Sequence, residues 1–177
     1  MAPELALDVQ PRGSLSSGDS SAIADLCSQA FEEDYAPYLE AFVDPVHVLA
    51  KRGGKLVSHA LWITRWLQIG DSPLLRTAYV EGVATDEAAR GRGYASTVMA
   101  HLAEAIVDYD IGGLSPAETT LYARLGWNYL QGLLYARTET GLIPQPGEGA
   151  MILRLPKTPK INIHAPASIE WRQGEVW

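Results

Sequence analysis

Apolar residues recur along the chain with two periods, and each change of period marks a change of element. Between Ser20 and Phe31, the residues Ile23, Leu26, Cys27, Ala30 and Phe31 stand at helical spacing, with Asp19, Ser20 or Ser21 available as N-cap. From Phe31 to Phe42 the pattern turns acidic and aromatic (Glu32, Glu33, Asp34, Tyr35, Tyr38, Glu40) and leads to Asp44-Pro45, where proline halts any helix. Such a stretch suits a lid or a wall. Val46 to Ala50 and Leu56 to Trp66 are strand-like runs on either side of the turn residues Lys51 to Lys55, a hairpin signal. A turn around Gly70 to Pro73 leads to a third strand-like run, Leu74 to Thr85.

Beyond the glycine-bearing stretch Ala89 to Ala95, the residues Val98, Met99, Leu102, Ala105 and Ile106 mark one face of a second long helix. Ile111 to Ser115 predicts a short strand, Pro116 the first turn of a helix running to Leu125, and Gly126 its C-cap. A strand from Trp127 to Arg137 should follow, then a Gly- and Pro-rich loop from Gly141 to Gly149 and a final strand from Ala150 to Leu155. Residues 156–177 lack periodicity and read as an irregular tail wrapped over the domain. Strands before, between and after a few helices, without repeat or linker, predict one α/β (α+β) domain over residues 1–177.

Composition narrows the class of ligand. A formal net charge of −7 disfavours nucleic acid, whose binding depends on neutralising phosphates, and favours a cationic ligand. No apolar run reaches membrane-spanning length, and Met1 to Gln10, carrying Glu4 and Asp8, lacks the basic and apolar regions of a secretory signal. The single cysteine, Cys27, forms no internal disulfide and no thiolate cluster, which fits a reducing compartment; a cytoplasmic protein is the expectation. Cys27 lies in an apolar helical pattern and suits a buried small hydrophobe better than a nucleophile. His47, His59, His101 and His164 are too scattered to suggest a metal site.

The stretch from Tyr79 to Met99 carries the chemistry. A buried-looking strand, Tyr79-Val80-Glu81-Gly82-Val83-Ala84, runs to Arg90-Gly91-Arg92-Gly93-Tyr94-Ala95 and then to a helix. Backbone N–H groups at a helix N-terminus lack intrahelical partners and carry partial positive charge, so they hold anions, and glycines let a pyrophosphate approach closely. Arg90 and Arg92 add cationic contacts. The glycine spacing is neither that of a Walker A loop nor that of a dinucleotide fingerprint.

Arg90 to Ala95 resembles the Arg/Gln-x-x-Gly-x-Gly/Ala signature that binds the coenzyme A pyrophosphate in Gcn5-related (GNAT) acetyltransferases. Leu121 to Trp127 resembles that superfamily's late helix, where a tyrosine, here Tyr122, lies near the coenzyme A sulfur. A narrower resemblance, to the aminoglycoside 2'-N-acetyltransferases, rests on Tyr79 to Ala84, on Leu121 to Trp127 and on the chain end Glu170-Trp171-Arg172-Gln173-Gly174-Glu175-Val176-Trp177. That family's glycine-rich segment after the first helix is replaced here by Phe42-Val43-Asp44-Pro45-Val46-His47, and the stretch before Tyr122 is shorter. Both departures fall where substrate is expected, and they leave room for a divergent branch acting on kasugamycin-like compounds.

The resemblance implies a central mixed twisted sheet flanked by helices, acetyl-CoA as cosubstrate without a metal, an aminoglycoside acceptor, a resistance role and a homodimer. It implies that Val83, Ala84 and Arg90, Gly91, Arg92, Gly93, Tyr94 and Ala95 hold the cosubstrate, with the Val83 N–H polarising the carbonyl oxygen. An amine protonated at neutral pH must lose its proton to attack a thioester, and Glu81, directly or through water, is the implied base. Tyr122 is the implied acid toward the departing thiolate. Asp34, Glu81, Glu175 and the terminal carboxylate of Trp177 would receive substrate ammonium groups beside Tyr35, with residues 156–177 completing the site. A peptide, polyamine or amino-sugar acceptor, and a coenzyme A-binding module without turnover, stay open as alternatives.

Overall fold

The computed structural model describes residues 4–177. They divide into two compact units, one made of the chain up to Ile63 with Val80–Ala105, the other of Thr64–Tyr79 with Ile106–Trp177.

The first unit contains β1 (Leu5–Pro11), α1 (Ser17–Phe31), α2 (Ala36–Ala41), β2 (Val46–Arg52), the opening half of β3 (Lys55–Ile69), the closing half of β4 (Leu75–Thr85) and α3 (Tyr94–Ala105). β1 pairs antiparallel with β2 and β2 with β3, in registers that set Leu7 opposite Ala50 and Leu49 opposite His59. α1 starts earlier than its apolar face suggested, because Ser16 accepts the Asp19 N–H at 3.0 Å and so caps one of the unpaired amides of the first turn. Its buried stripe, Ile23, Leu26 and Cys27, packs with Leu49, Leu56, Ala84 and Tyr35 into one apolar cluster. β1 was not anticipated, although Leu5, Leu7 and Val9 alternate with Ala6, Asp8 and Gln10 along its length.

In the second unit the strand order is β6 (Asn128–Tyr129), β9 (Met151–Arg154), β5 (Ile111–Leu114), β4, β3, β10 (Ala167–Glu170), β7 (Leu134–Thr138) and β8 (Gly141–Pro144). β4–β5 and β10–β7 are parallel, while β5–β9, β6–β9, β10–β3 and β7–β8 are antiparallel, so the sheet is mixed as the family resemblance implied.

The predicted strand Trp127 to Arg137 is broken into β6 and β7, because Gly132 lies against the tail: a Cβ there would stand 2.0 Å from the Ala165 carbonyl oxygen. The Gln131 N–H turns to the Ile163 carbonyl at 2.7 Å. The helix predicted from Pro116 is only α4 (Thr120–Arg124), since the Glu118 carboxylate takes the Thr120 and Leu121 N–H groups and fixes the start there. The Gly141 to Gly149 loop contains the exposed edge strand β8. The tail is not wholly irregular: Ala167–Glu170 forms β10, inserted between β3 and β7.

Candidate functional site

The closing half of β4 and the turn after it carry the sequence-predicted cosubstrate residues. Val80 and Ala84 are buried while Glu81 and Val83 are half-buried, an alternation that leaves the Glu81 side chain on the accessible face. Between them Gly82 adopts φ 58, a left-handed value that a side chain resists, and it interrupts the regular pleat between the two residues.

Asp86 closes the strand. Its carboxylate pairs with Lys55 at 2.6 Å and accepts the Ala88 N–H at 3.0 Å, which together hold it below the usual carboxylate range. The chain then passes through Arg90 and two glycines at φ 74 and 78, Gly91 and Gly93, into the first turn of α3. A Cβ on either glycine would meet nothing within 4 Å, so backbone conformation and not crowding requires glycine at both. Thr85, Ala89, Arg90, Gly91, Gly93, Tyr94, Ala95 and Ser96 line a recess of about 210 Å³ at this point. Arg90 and Arg92 are exposed. The amide N–H groups of a helix N-terminus, small residues and two guanidinium groups at the start of a 12-residue helix fit a bound pyrophosphate.

Behind β4 the residues read as scattered come together. β2 and β3 place His47 and His59 diagonally across the ladder, and His47 Nδ1 meets His59 Nε2 at 2.9 Å. The His59 Nδ1–H donates to the Gly82 carbonyl at 2.8 Å, and the Cys27 thiol lies 3.8 Å from the same oxygen. Burial pushes the His59 pKa down to about 3, helped by His47 and opposed by the Gly82 carbonyl. Burial and the Arg12 charge push His47 down to about 4, and burial alone lifts the Cys27 thiol to about 12. No single-sequence signal marks this chain of contacts, because strand register creates it.

Of the residues expected to contact substrate, Asp34 is exposed, and its carboxylate accepts the Ala36 N–H at 3.1 Å at the entrance to α2. Tyr35 is 8% exposed, stacked between Phe31 and Tyr38 with centroids 4.7 and 5.1 Å away. It serves as the wall of the apolar cluster.

The remaining predicted residues belong to the second unit. Tyr122 lies in α4, half-buried and edge-on to Trp127 at 6.3 Å; its carbonyl accepts the Trp127 N–H at 3.1 Å while Gly126, at φ 89, ends the helix. Burial, then the nearby Glu118 charge, raises the phenol to about 12. Glu175 is exposed, whereas Trp177 is 3% exposed. The chain end is fastened by Arg65, a residue not singled out from sequence. Its guanidinium, 2% exposed, donates to the Val176 and Glu170 carbonyls and to the Glu170 carboxylate at 3.3 Å, above the Tyr79 ring at 5.0 Å. Each charge-assisted bond satisfies part of a cation that would otherwise be costly to bury.

Among the described residues no group of three or more His, Cys, Asp or Glu could hold a metal ion, and no helix is long and apolar enough to cross a membrane.

The model of the acetyltransferase (GNAT) domain family matches residues 13–130. The aminoglycoside 2'-N-acetyltransferase of Mycolicibacterium fortuitum is 32% identical over 157 residues, covering 84% of this chain and 80% of that protein. Among solved structures, the GNAT-family N-acetyltransferase YhbS of Escherichia coli in complex with CoA superposes with a TM-score of 0.66 at 17% identity, over 95% of this chain and 92% of its own. A GNAT structure from Kribbella flavida gives a TM-score of 0.59 at 20% identity over 74% of this chain, which spans about a third of that protein (34%). The family model and the M. fortuitum relative together show that the chain belongs to the GNAT acetyltransferase family.

Proposed function

We propose that the protein transfers the acetyl group of acetyl-CoA to an amino group of an aminoglycoside, with the 2'-amine of a deoxystreptamine compound or an amine of a kasugamycin-like compound as acceptor, and so gives resistance. The observation that carries this reading is the 32% identity with the M. fortuitum aminoglycoside 2'-N-acetyltransferase across 84% of the chain. The net charge of −7 supports a polycationic acceptor.

Acetyl-CoA, when bound, supplies an activated acyl carbon and a thiol leaving group. In this reading the amides that open α3, with Arg90 and Arg92, bind the pyrophosphate, and Val83 N–H donates to the carbonyl oxygen. Glu81 takes the proton from the acceptor amine, directly or through water. Tyr122, a phenol already protonated at neutral pH and raised further to about 12 by burial, gives its proton to the departing sulfur. Asp34, Glu175 and the carboxylate of Trp177 pair with substrate ammonium groups, and Cys27 takes no part because its thiol stays protonated.

Mass spectrometry of acetyl-CoA incubations with deoxystreptamine aminoglycosides, kasugamycin, polyamines and peptides tests the acceptor. A single acetyl on an aminoglycoside is the expected product; acetylation confined to peptides or polyamines overturns the substrate assignment. Glu81→Gln and Tyr122→Phe should each lower kcat by about 10²–10⁴ while retaining coenzyme A binding. Unchanged turnover in both variants would remove these residues from the mechanism.

A further inference from the structure

We infer that the first unit contains a second ligand site, a cavity floored by His47 that takes a small neutral molecule bearing one hydroxyl on an apolar body. This inference is independent of the acetyl-transfer reading. The cavity, about 300 Å³, lies among the segment Arg12 to Leu15, α1, α2 and the start of β2. Its walls are aliphatic carbon from Leu15, Ile23, Ala24, Ala36 and Leu39, and its polar groups are Arg12, Ser20, Glu40 and His47.

The hydrogen-bond chain behind β4 determines what His47 offers. A carbonyl oxygen only accepts, so the 2.8 Å contact with Gly82 requires a proton on His59 Nδ1. Neutral His59 then has its lone pair on Nε2, and the 2.9 Å contact requires His47 Nδ1 to donate to it. Neutral His47 is left with a bare lone pair on its own Nε2. That atom is buried, has no hydrogen-bond partner, and belongs to a side chain only 3% exposed that lines the cavity. An unmet buried acceptor is costly, so an occupant that donates to it gains selectively over one that does not.

Charge refines the ligand class. Arg12, whose guanidinium is tied to the Leu39 and Glu40 carbonyls, and Glu40 line the same cavity with opposite charges, so an ammonium group entering it gains no net attraction from the pair. A carboxylate is repelled by the lone pair of Nε2. A neutral alcohol satisfies both conditions and buries its hydrocarbon against the aliphatic walls.

The test is titration of the full-length protein, labelled with ¹⁵N in histidine, with benzyl alcohol, with toluene and with benzylammonium. Long-range ¹H–¹⁵N spectra should show Nδ1–H tautomers for both His47 and His59 before addition. Benzyl alcohol should then shift His47 Nε2 saturably, with Kd at least tenfold below those of toluene and benzylammonium. Ala24→Met, which fills the cavity and leaves both histidines in the chain, should abolish that shift and leave the tautomers unchanged. His47→Phe should equalise the affinities for benzyl alcohol and toluene. Non-saturable shifts, equal affinities in the unmodified protein, retention of the benzyl alcohol shift in Ala24→Met, or an Nε2–H tautomer at His47 would each overturn the inference.

Discussion

The turn from Arg90 to Tyr94 and the imidazole chain from His47 through His59 to Gly82 flank the same half of β4, and they use polar groups in opposite ways. The turn leaves two guanidinium groups exposed, and nothing approaches the Cβ positions of Gly91 or Gly93. Behind the strand, two imidazoles are almost wholly buried, charge is suppressed, and the His59 Nδ1–H to Gly82 contact fixes the ring's tautomer. A surface that receives an anion needs available donors, whereas a surface that fixes a strand needs its donors already committed.

Removal of one imidazole is the strongest way to break the contrast. His59→Ala leaves the Gly82 carbonyl with only the Cys27 thiol at 3.8 Å, leaves the His47 Nδ1–H without its acceptor, and opens a cavity in the packed interior. It should cost about 3–5 kcal/mol in urea unfolding, against less than about 0.5 kcal/mol for Arg90→Ala in the exposed turn.

Acid separates the two regions next. Both histidines titrate near 6.5 when unfolded but are held neutral down to about 4 and about 3 when folded, so their contribution to stability is complete above pH 6.5 and is lost as pH falls toward those values. Two extra protons on the unfolded chain give a slope of up to about 2.7 kcal/mol per pH unit near pH 5. His47→Gln should halve the histidine part of that slope; an unchanged slope would mean that His47 is charged in the folded protein.

A glycine of the turn gives a stability effect smaller than loss of an imidazole, together with a kinetic one. Gly93→Ala places a side chain at φ 78 and should cost about 1–2 kcal/mol, with a rise of about tenfold in KM for acetyl-CoA and little change in kcat. The same exchange at Gly82, also left-handed, should lower kcat instead, because it re-aims Glu81 and Val83 on either side of it. Matching kinetic effects at the two glycines would show that the turn and the strand are not functionally distinct.

Legibility in the sequence follows the same division. The turn is written within six consecutive residues, and α1, β2, β3 and α3 are written in local periodicity, so each was visible from short windows. The imidazole chain depends on the β2–β3 register, which sets Leu49 opposite His59; four isolated histidines contain no trace of it. The break between β6 and β7 depends on a contact between Gly132 and Ala165, 33 positions apart, and β10 is a four-residue strand whose Ala167 and Ile169 alternate too briefly to stand out. Arg65 is one charge within a strand-like run, and only the folding of Glu170 and Val176 onto it gives its guanidinium a role.

The placement of Cys27 also decides how turnover is best observed. The only thiol in the chain is fully enclosed and remains protonated until pH approaches 12, so disulfide-exchange chromogens added to the assay should leave the native protein unlabelled. Coenzyme A released in solution can therefore be counted continuously by colour, with no protein background to subtract; conversely, a slow rise in colour with both acetyl-CoA and acceptor left out would report the rate at which Cys27 opens to the solvent.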